Sequence, residues 1–290
     1  MHAGLMPLLH AAERVGFGWS FEPGVIIPLI VLGVWYARGA YVMRTRSPHA
    51  PRATAIAAFA AGWATLLAAL VSPIDGVSEQ LFSMHMVQHE LLMALAAPLL
   101  VAARPGPALV WALGPRSRPG LVRIVRAPTV RRTWRALTQP FTAWLIQGVV
   151  IWLWHAPPLF EAALRSDFVH ALQHLAFLGS AVVFWWSIIH GRRQARGLAI
   201  VSLFTTAVHT GVLGALMTFA RSPWYPAYGA GPEAWGLTLI GDQQLAGLIM
   251  WIPASAAYLV AALSTAYRWL HDSEWEVVQR ERAALAPLGR

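Results

Sequence analysis

The chain has 290 residues, 57% of them hydrophobic and 12% charged, whereas a soluble domain averages about 25% charged, so composition points away from a soluble domain and toward a membrane protein. The formal net charge is +9 and every one of the 22 basic residues is Arg, but these arginines sit in short connections between apolar stretches, which argues against nucleic acid as a partner. The absence of Cys excludes disulfides, thiolate metal sites and cysteine nucleophiles, leaving His, Met, carboxylate or backbone oxygen to hold any metal.

Along the chain, residues 1–24 lack a basic segment followed by a clean apolar core, so no cleaved signal peptide is read there and the first span directs insertion. A membrane helix needs about 20 mostly apolar residues. Seven stretches qualify, at 25–43, 54–73, 82–103, 140–156, 170–190, 198–220 and 244–268. The fourth is short and closes on Trp152, Trp154 and His155, aromatic residues suited to a membrane interface. The expected fold is an all-α integral membrane bundle of seven transmembrane helices forming one domain over 1–270, with 271–290 as a tail. There is no internal repeat, low-complexity tract or soluble domain.

Arginine distribution gives the orientation. Eighteen of the 22 arginines fall on one side of such a bundle: Arg44, Arg46 and Arg52, eight in the loop 104–139, Arg192, Arg193 and Arg196, then Arg268, Arg280, Arg282 and Arg290. The other side has Arg14, Arg165 and Arg221, and Arg38 lies within the first span. Cytoplasmic loops carry the positive excess, which predicts the N-terminus out and the C-terminal tail cytoplasmic. The Arg-rich loop 104–139 reads as a segment that touches lipid headgroups.

Of the eleven histidines, His2, His10, His49, His190 and His271 fall in tails, loops or cytoplasmic span ends and read as solvated or interfacial. The others form a pattern. His85 and His89 open the third span and His170 and His174 the fifth, each pair spaced i, i+4 on one helix face, about 6 Å apart along the axis. His155 closes the fourth span on the same outer side, and His209 lies near the middle of the sixth. Asp242 begins the seventh span there, and Asp75 and Glu79 precede the third. Ionisable groups in membrane helices are costly and face the bundle interior, so this gathering reads as a metal site rather than as packing.

Imidazole suits copper, zinc, iron and nickel, and copper heads the divalent affinity order. Met84, Met86 and Met93 lie among the third-helix histidines, with Met217 and Met250 on the sixth and seventh spans. Thioether sulfur favours Cu(I), although Met is also ordinary core filler. Met86 is the best thioether candidate despite projecting about 100° away from His85. A zinc protease would need His-Glu-x-x-His, and here Met86 stands where that glutamate belongs. A membrane di-iron oxygenase and a bis-His haem protein remain alternatives from spacing alone. The first would carry its His boxes on the cytosolic face, and the second would use a pair such as His89 and His174.

Ser72-Pro-Ile-Asp75, Phe82-Ser-Met-His85 with His89, Ala97-Pro98, Trp154-His155-Ala-Pro157 with Leu159-Phe160, His170-Ala-Leu-Gln-His174-Leu-Ala-Phe177 and Asp242-Gln-Gln-Leu-Ala-Gly247 through Pro253 together resemble the CtaG family of cytochrome c oxidase assembly factors. The resemblance implies a non-catalytic polytopic protein of the bacterial plasma membrane that supports maturation of haem-copper oxidases by delivering copper. Its partners would be an oxidase subunit or another copper carrier, together with the lipid bilayer. It places His85, His89, His155, His170, His174 and Asp242 at family-motif positions. The expected site thus lies in the outer half of the bilayer, with copper held by His85, His89, His170 and His174. His155 is expected to be a ligand or to receive the metal first. Asp242 would orient a ligand imidazole, and His209 would relay metal from the membrane core.

Overall fold

The structure is a computed structural model that describes residues 18–285, so His2, His10, Arg14 and Arg290 lie outside the described residues. Every regular element among the described residues is helical. Helix α1 (Pro23–Arg46) begins with Pro in its first turn, where the missing N–H costs no helical bond. The alanine-rich α2 (Ala53–Leu70) follows from the high helix propensity of that residue. Ser72 stops the run and accepts the Ile74 backbone N–H at 3.2 Å, which caps a short α3 (Pro73–Ser78).

Helix α4 (Phe82–Ala103) contains a π segment, Leu91–Ala96. Pro98 explains one consequence of this wider turn. In an i to i+5 pattern the residue-98 N–H would bond to the Met93 carbonyl, and proline has no N–H. The Trp185 indole N–H takes its place, donating to the Met93 oxygen at 2.8 Å. The π turn of one helix is thereby tied to a side chain of another.

The loop 104–139 is not irregular as its sequence suggests. It forms α5 (Gly106–Trp111), α6 (Arg118–Arg126) and α7 (Pro128–Leu137), each with Pro in the first turn. Neither α6 nor α7 buries a residue, and Ile124, Val125 and Val130 are exposed beside the arginines. Helix α8 (Pro140–Trp154) follows at 68° to α7. The chain continues through α9 (Pro157–Arg165), α10 (Asp167–Ile189), α11 (Arg196–Thr218) and α12 (Leu239–Leu285), the last passing through Pro253.

Among the described residues, six helices are long and apolar enough to cross a membrane: α1, α2, α4, α10, α11 and the Leu239–Asp272 part of α12. The stretch expected to span at 140–156 is a helix of 15 residues, about 22 Å long against a hydrocarbon core of about 30 Å. It reaches spanning length only if α7 and α8 count as one bent segment, which gives up to seven. Val201, Phe204, Val208, Val212 and Leu216 form an exposed apolar stripe along α11, a surface that suits lipid and not water.

Two contacts fix α11 and α12 as antiparallel. Near the end of α11, a Cβ on Gly214 would meet the Gly247 oxygen of early α12 at 2.6 Å, and a Cβ on Gly247 would meet the Gly214 oxygen at 2.5 Å. Only glycine at both positions lets the backbones approach this closely. At the opposite end Arg196 bonds Asp272 at 2.7 Å. Helices α4 and α10 run parallel. Their histidines meet near their N-terminal ends, and Arg104 meets His190 at 2.9 Å beyond their C-terminal ends.

Candidate metal centre

Five histidines from three parts of the chain converge. The i, i+4 spacing sets His85 edge-on to His89 in α4, with ring centroids 4.4 Å apart, and His170 beside His174 in α10, 4.3 Å apart. The parallel packing of the two helices brings the pairs together: His85 is 5.1 Å from His170 and 5.8 Å from His174, and His89 is 5.4 Å from His174. His155, just past the end of α8, stands 5.9 Å from His89. Ligand nitrogens of His85, His89 and His174 all lie within 4.8 Å of one another, close enough to share one ion.

The hydrogen bonds around these rings decide which nitrogen is free. His155 Nδ1 lies 2.6 Å from the Ile151 carbonyl oxygen. A carbonyl only accepts, so Nδ1 carries the proton and Nε2 keeps its lone pair. His155 is itself held in place by Tyr225, whose hydroxyl donates to the His155 carbonyl at 2.7 Å. His85 Nδ1 lies 3.2 Å from the Tyr228 hydroxyl, and that hydroxyl also reaches the Ser78 carbonyl at 3.4 Å. With the hydroxyl proton directed to Ser78, Tyr228 accepts from Nδ1–H and again leaves Nε2 basic. Fixing the distal nitrogen in this way is how metal-binding imidazoles are oriented.

Six ring nitrogens of the cluster are buried without a hydrogen-bond partner: Nε2 of His85, His155, His170 and His174, and both nitrogens of His89. An unsatisfied buried polar atom costs about 1–3 kcal/mol. The nitrogens that His85, His89 and His174 bring within 4.8 Å of one another suit a cation as their missing partner. The walls are aromatic, with Phe160 4.9 Å from His85 and Phe177 4.4 Å from His89, which keeps competing water away. Gln173 is fully buried and faces His85 without good hydrogen-bond geometry.

The other expected site residues take different places. Asp242 is fully buried and bonds the start of α4, not an imidazole: the Phe82 N–H donates to it at 2.6 Å and the Ser83 N–H at 3.2 Å, and the Ser83 hydroxyl also donates to it. It caps from another helix an N-terminus that no local side chain caps, and so positions the helix carrying His85 and His89. His209 is not brought to the cluster. It sits between α8 and α11, accepts from the Trp152 indole N–H at 3.4 Å and lies against Trp144. Met86 is buried in the core with Phe82, Phe160 and Phe177.

Acidic residues flank the outer end. Gln88 of α4 donates to Asp75 at 2.7 Å, and the charges of Asp75 and Asp167 act on His170. Burial pushes the Glu79 carboxyl above its ordinary range, reinforced by the charges of Asp75, Glu22 and Asp167. Sequence reasoning gave no role to Tyr225 or Tyr228, which lie on the connection between α11 and α12 and carry no periodic signal. Gln173 was legible only as the neighbour of His174.

The model of the family described as cytochrome c oxidase caa3 assembly factor (Caa3_CtaG) matches residues 34–272. Among curated proteins, the chain is 25% identical over 295 aligned positions to an uncharacterised protein of Mycobacterium bovis and to one of Mycobacterium tuberculosis, covering 96% of this chain and 43% of each relative. An uncharacterised protein of Mycobacterium leprae is 24% identical, with 92% of this chain and 41% of the relative covered. The chain therefore spans less than half the length of these relatives. No solved structure matches it.

Proposed function

The chain belongs to the cytochrome c oxidase caa3 assembly factor family, and from that premise we propose that it takes up copper in its histidine cluster and passes it to a haem-copper oxidase. The observation that carries this reading is the approach of ligand nitrogens of His85, His89 and His174 to within 4.8 Å of one another, in a cluster whose buried ring nitrogens lack hydrogen-bond partners. A neutral imidazole set with no acidic residue among its closest members suits a copper ion as cargo.

Ring contacts run from His170 through His85 and His174 to His89 and His155. A cation can therefore change ligands one at a time without ever being fully released, as a carrier requires. The carboxylates of Asp75 and Asp167, whose charges reach both His170 and Glu79, favour together with Glu79 the arrival of a cation from that end. Imidazole rings in direct contact leave no flat slot for a porphyrin between His89 and His174, which favours an ion over haem. Binding and release involve no turnover, so the role is that of a carrier and not of an enzyme.

Topology supports placing the site outside. Helix α8 ends at His155, beside the N-terminal ends of α4 and α10, so it runs antiparallel to both. Counting α7 and α8 as one bent crossing gives seven spans, and most of the arginines then fall on the face opposite the histidines. By the positive-inside rule the N-terminal side is outside. The cluster then lies in the outer half of a bacterial plasma membrane, on the side where the client's copper centre would be loaded.

The test is oxidase maturation in cells whose own copy is replaced by a His85→Ala/His89→Ala variant. The reading expects oxidase that assembles short of copper, with normal membrane levels of the variant. Fully metallated oxidase would leave a scaffolding role instead.

A further inference from the structure

The Arg-rich end of the bundle contains a cavity that the histidine site does not use. Its volume is about 300 Å³, and it lies between the end of α10, the start of α11 and the α12 turns around Arg268. Arg192, Arg196 and Arg268 line it. Arg196 is bridged to Asp272, and among the described residues no carboxylate pairs with Arg192 or Arg268, so positive charge is in excess. Helix α11 opens here without a side-chain cap, adding the positive end of its dipole. Of the hydroxyls that line it, Ser187 donates to the Phe184 carbonyl and Thr265 to that of Ala261, which leaves that of Ser264. The donors left for a ligand are the guanidinium groups and the Ser264 hydroxyl.

We propose that this cavity binds a phosphate-bearing anion. Guanidinium groups match phosphate oxygens two at a time, and a helix start adds to the same preference. Two sources carry that chemistry at this face: the headgroup of an acidic phospholipid, which basic pockets between membrane helices accept, and phosphate in solution.

The full chain in detergent would be unfolded thermally while phosphatidylglycerol, phosphatidylcholine or inorganic phosphate is added. Phosphatidylglycerol is expected to raise the midpoint and phosphatidylcholine to leave it unchanged. A rise with phosphatidylglycerol alone assigns the lipid, and a rise with inorganic phosphate as well assigns the free anion. Arg192→Gln with Arg268→Gln should weaken the apparent affinity on the order of tenfold. Thr265→Trp fills the cavity while keeping every charge and should do the same. Arg123→Gln with Arg126→Gln on α6 removes equal charge elsewhere and should change nothing. No response to either anion, an unchanged response in both cavity variants, or an equal loss in the α6 variant would overturn the assignment.

Discussion

His89 is the most exposed test of the site at the level of single residues, because both of its ring nitrogens are buried and unpartnered. His89→Ala removes a member of the closest triad and should weaken Cu(I) affinity by roughly 100-fold or more, since even residues behind the ligands are worth 10–100-fold. His209→Ala should leave affinity unchanged, because Trp144 and Trp152 hold that ring away from the cluster. Competition with a chromogenic Cu(I) chelator checks both. Glu79→Gln should slow copper uptake without altering the equilibrium affinity, as a charge that attracts but does not ligate would; stopped-flow mixing at low salt separates the two. The i, i+4 pairs were legible in the sequence because a helix converts that spacing into a shared face without help from the rest of the fold. Tyr228 and Tyr225 were not, because the connection that carries them acquires its shape only by packing on Ser78, His85 and His155. The sequence places Asp242 as the orienter of a ligand imidazole, yet its partners are Phe82 and Ser83, 160 and 159 residues earlier, and no local pattern encodes that pairing.

At the level of elements, α4 is held by groups from other helices. Asp242 closes its N-terminus, and Trp185 satisfies the carbonyl that Pro98 leaves open in the π segment. Trp185→Phe keeps the ring that stacks on Tyr258 but abandons the Met93 oxygen. The expected cost is about 1–3 kcal/mol, read as a lower denaturation midpoint in detergent with copper affinity little changed. An unchanged midpoint would mean that the π segment satisfies itself. The long apolar spans were readable from hydropathy because lipid imposes length and apolarity directly. The loop 104–139 was not, because α6 and α7 are short amphipathic helices whose exposed apolar and Arg faces resemble a polar connection when averaged over a window. The fourth span fell short for a related reason: its bend lies at Thr138 to Pro140, and a window on either side sees only half of the crossing.

At the level of the whole molecule, the account requires the histidine end and the arginine end to lie on opposite sides of the membrane. A chain without Cys lets a single introduced thiol report its side without background. Ala230→Cys, on the connection between α11 and α12 that reaches the site, should react with an impermeant maleimide in intact cells. Thr129→Cys in α7 should react only after the membrane is opened. The reverse pattern would put the cluster on the cytoplasmic side and remove the proposed route to the oxidase. The most direct test of the central claim is the metal content of the purified, tag-free chain after copper loading, measured by mass spectrometry beside the His85→Ala/His89→Ala variant. The account predicts about one copper per chain or more, lost in the variant. Copper retained equally by the variant, or a chain that takes up none, would contradict it.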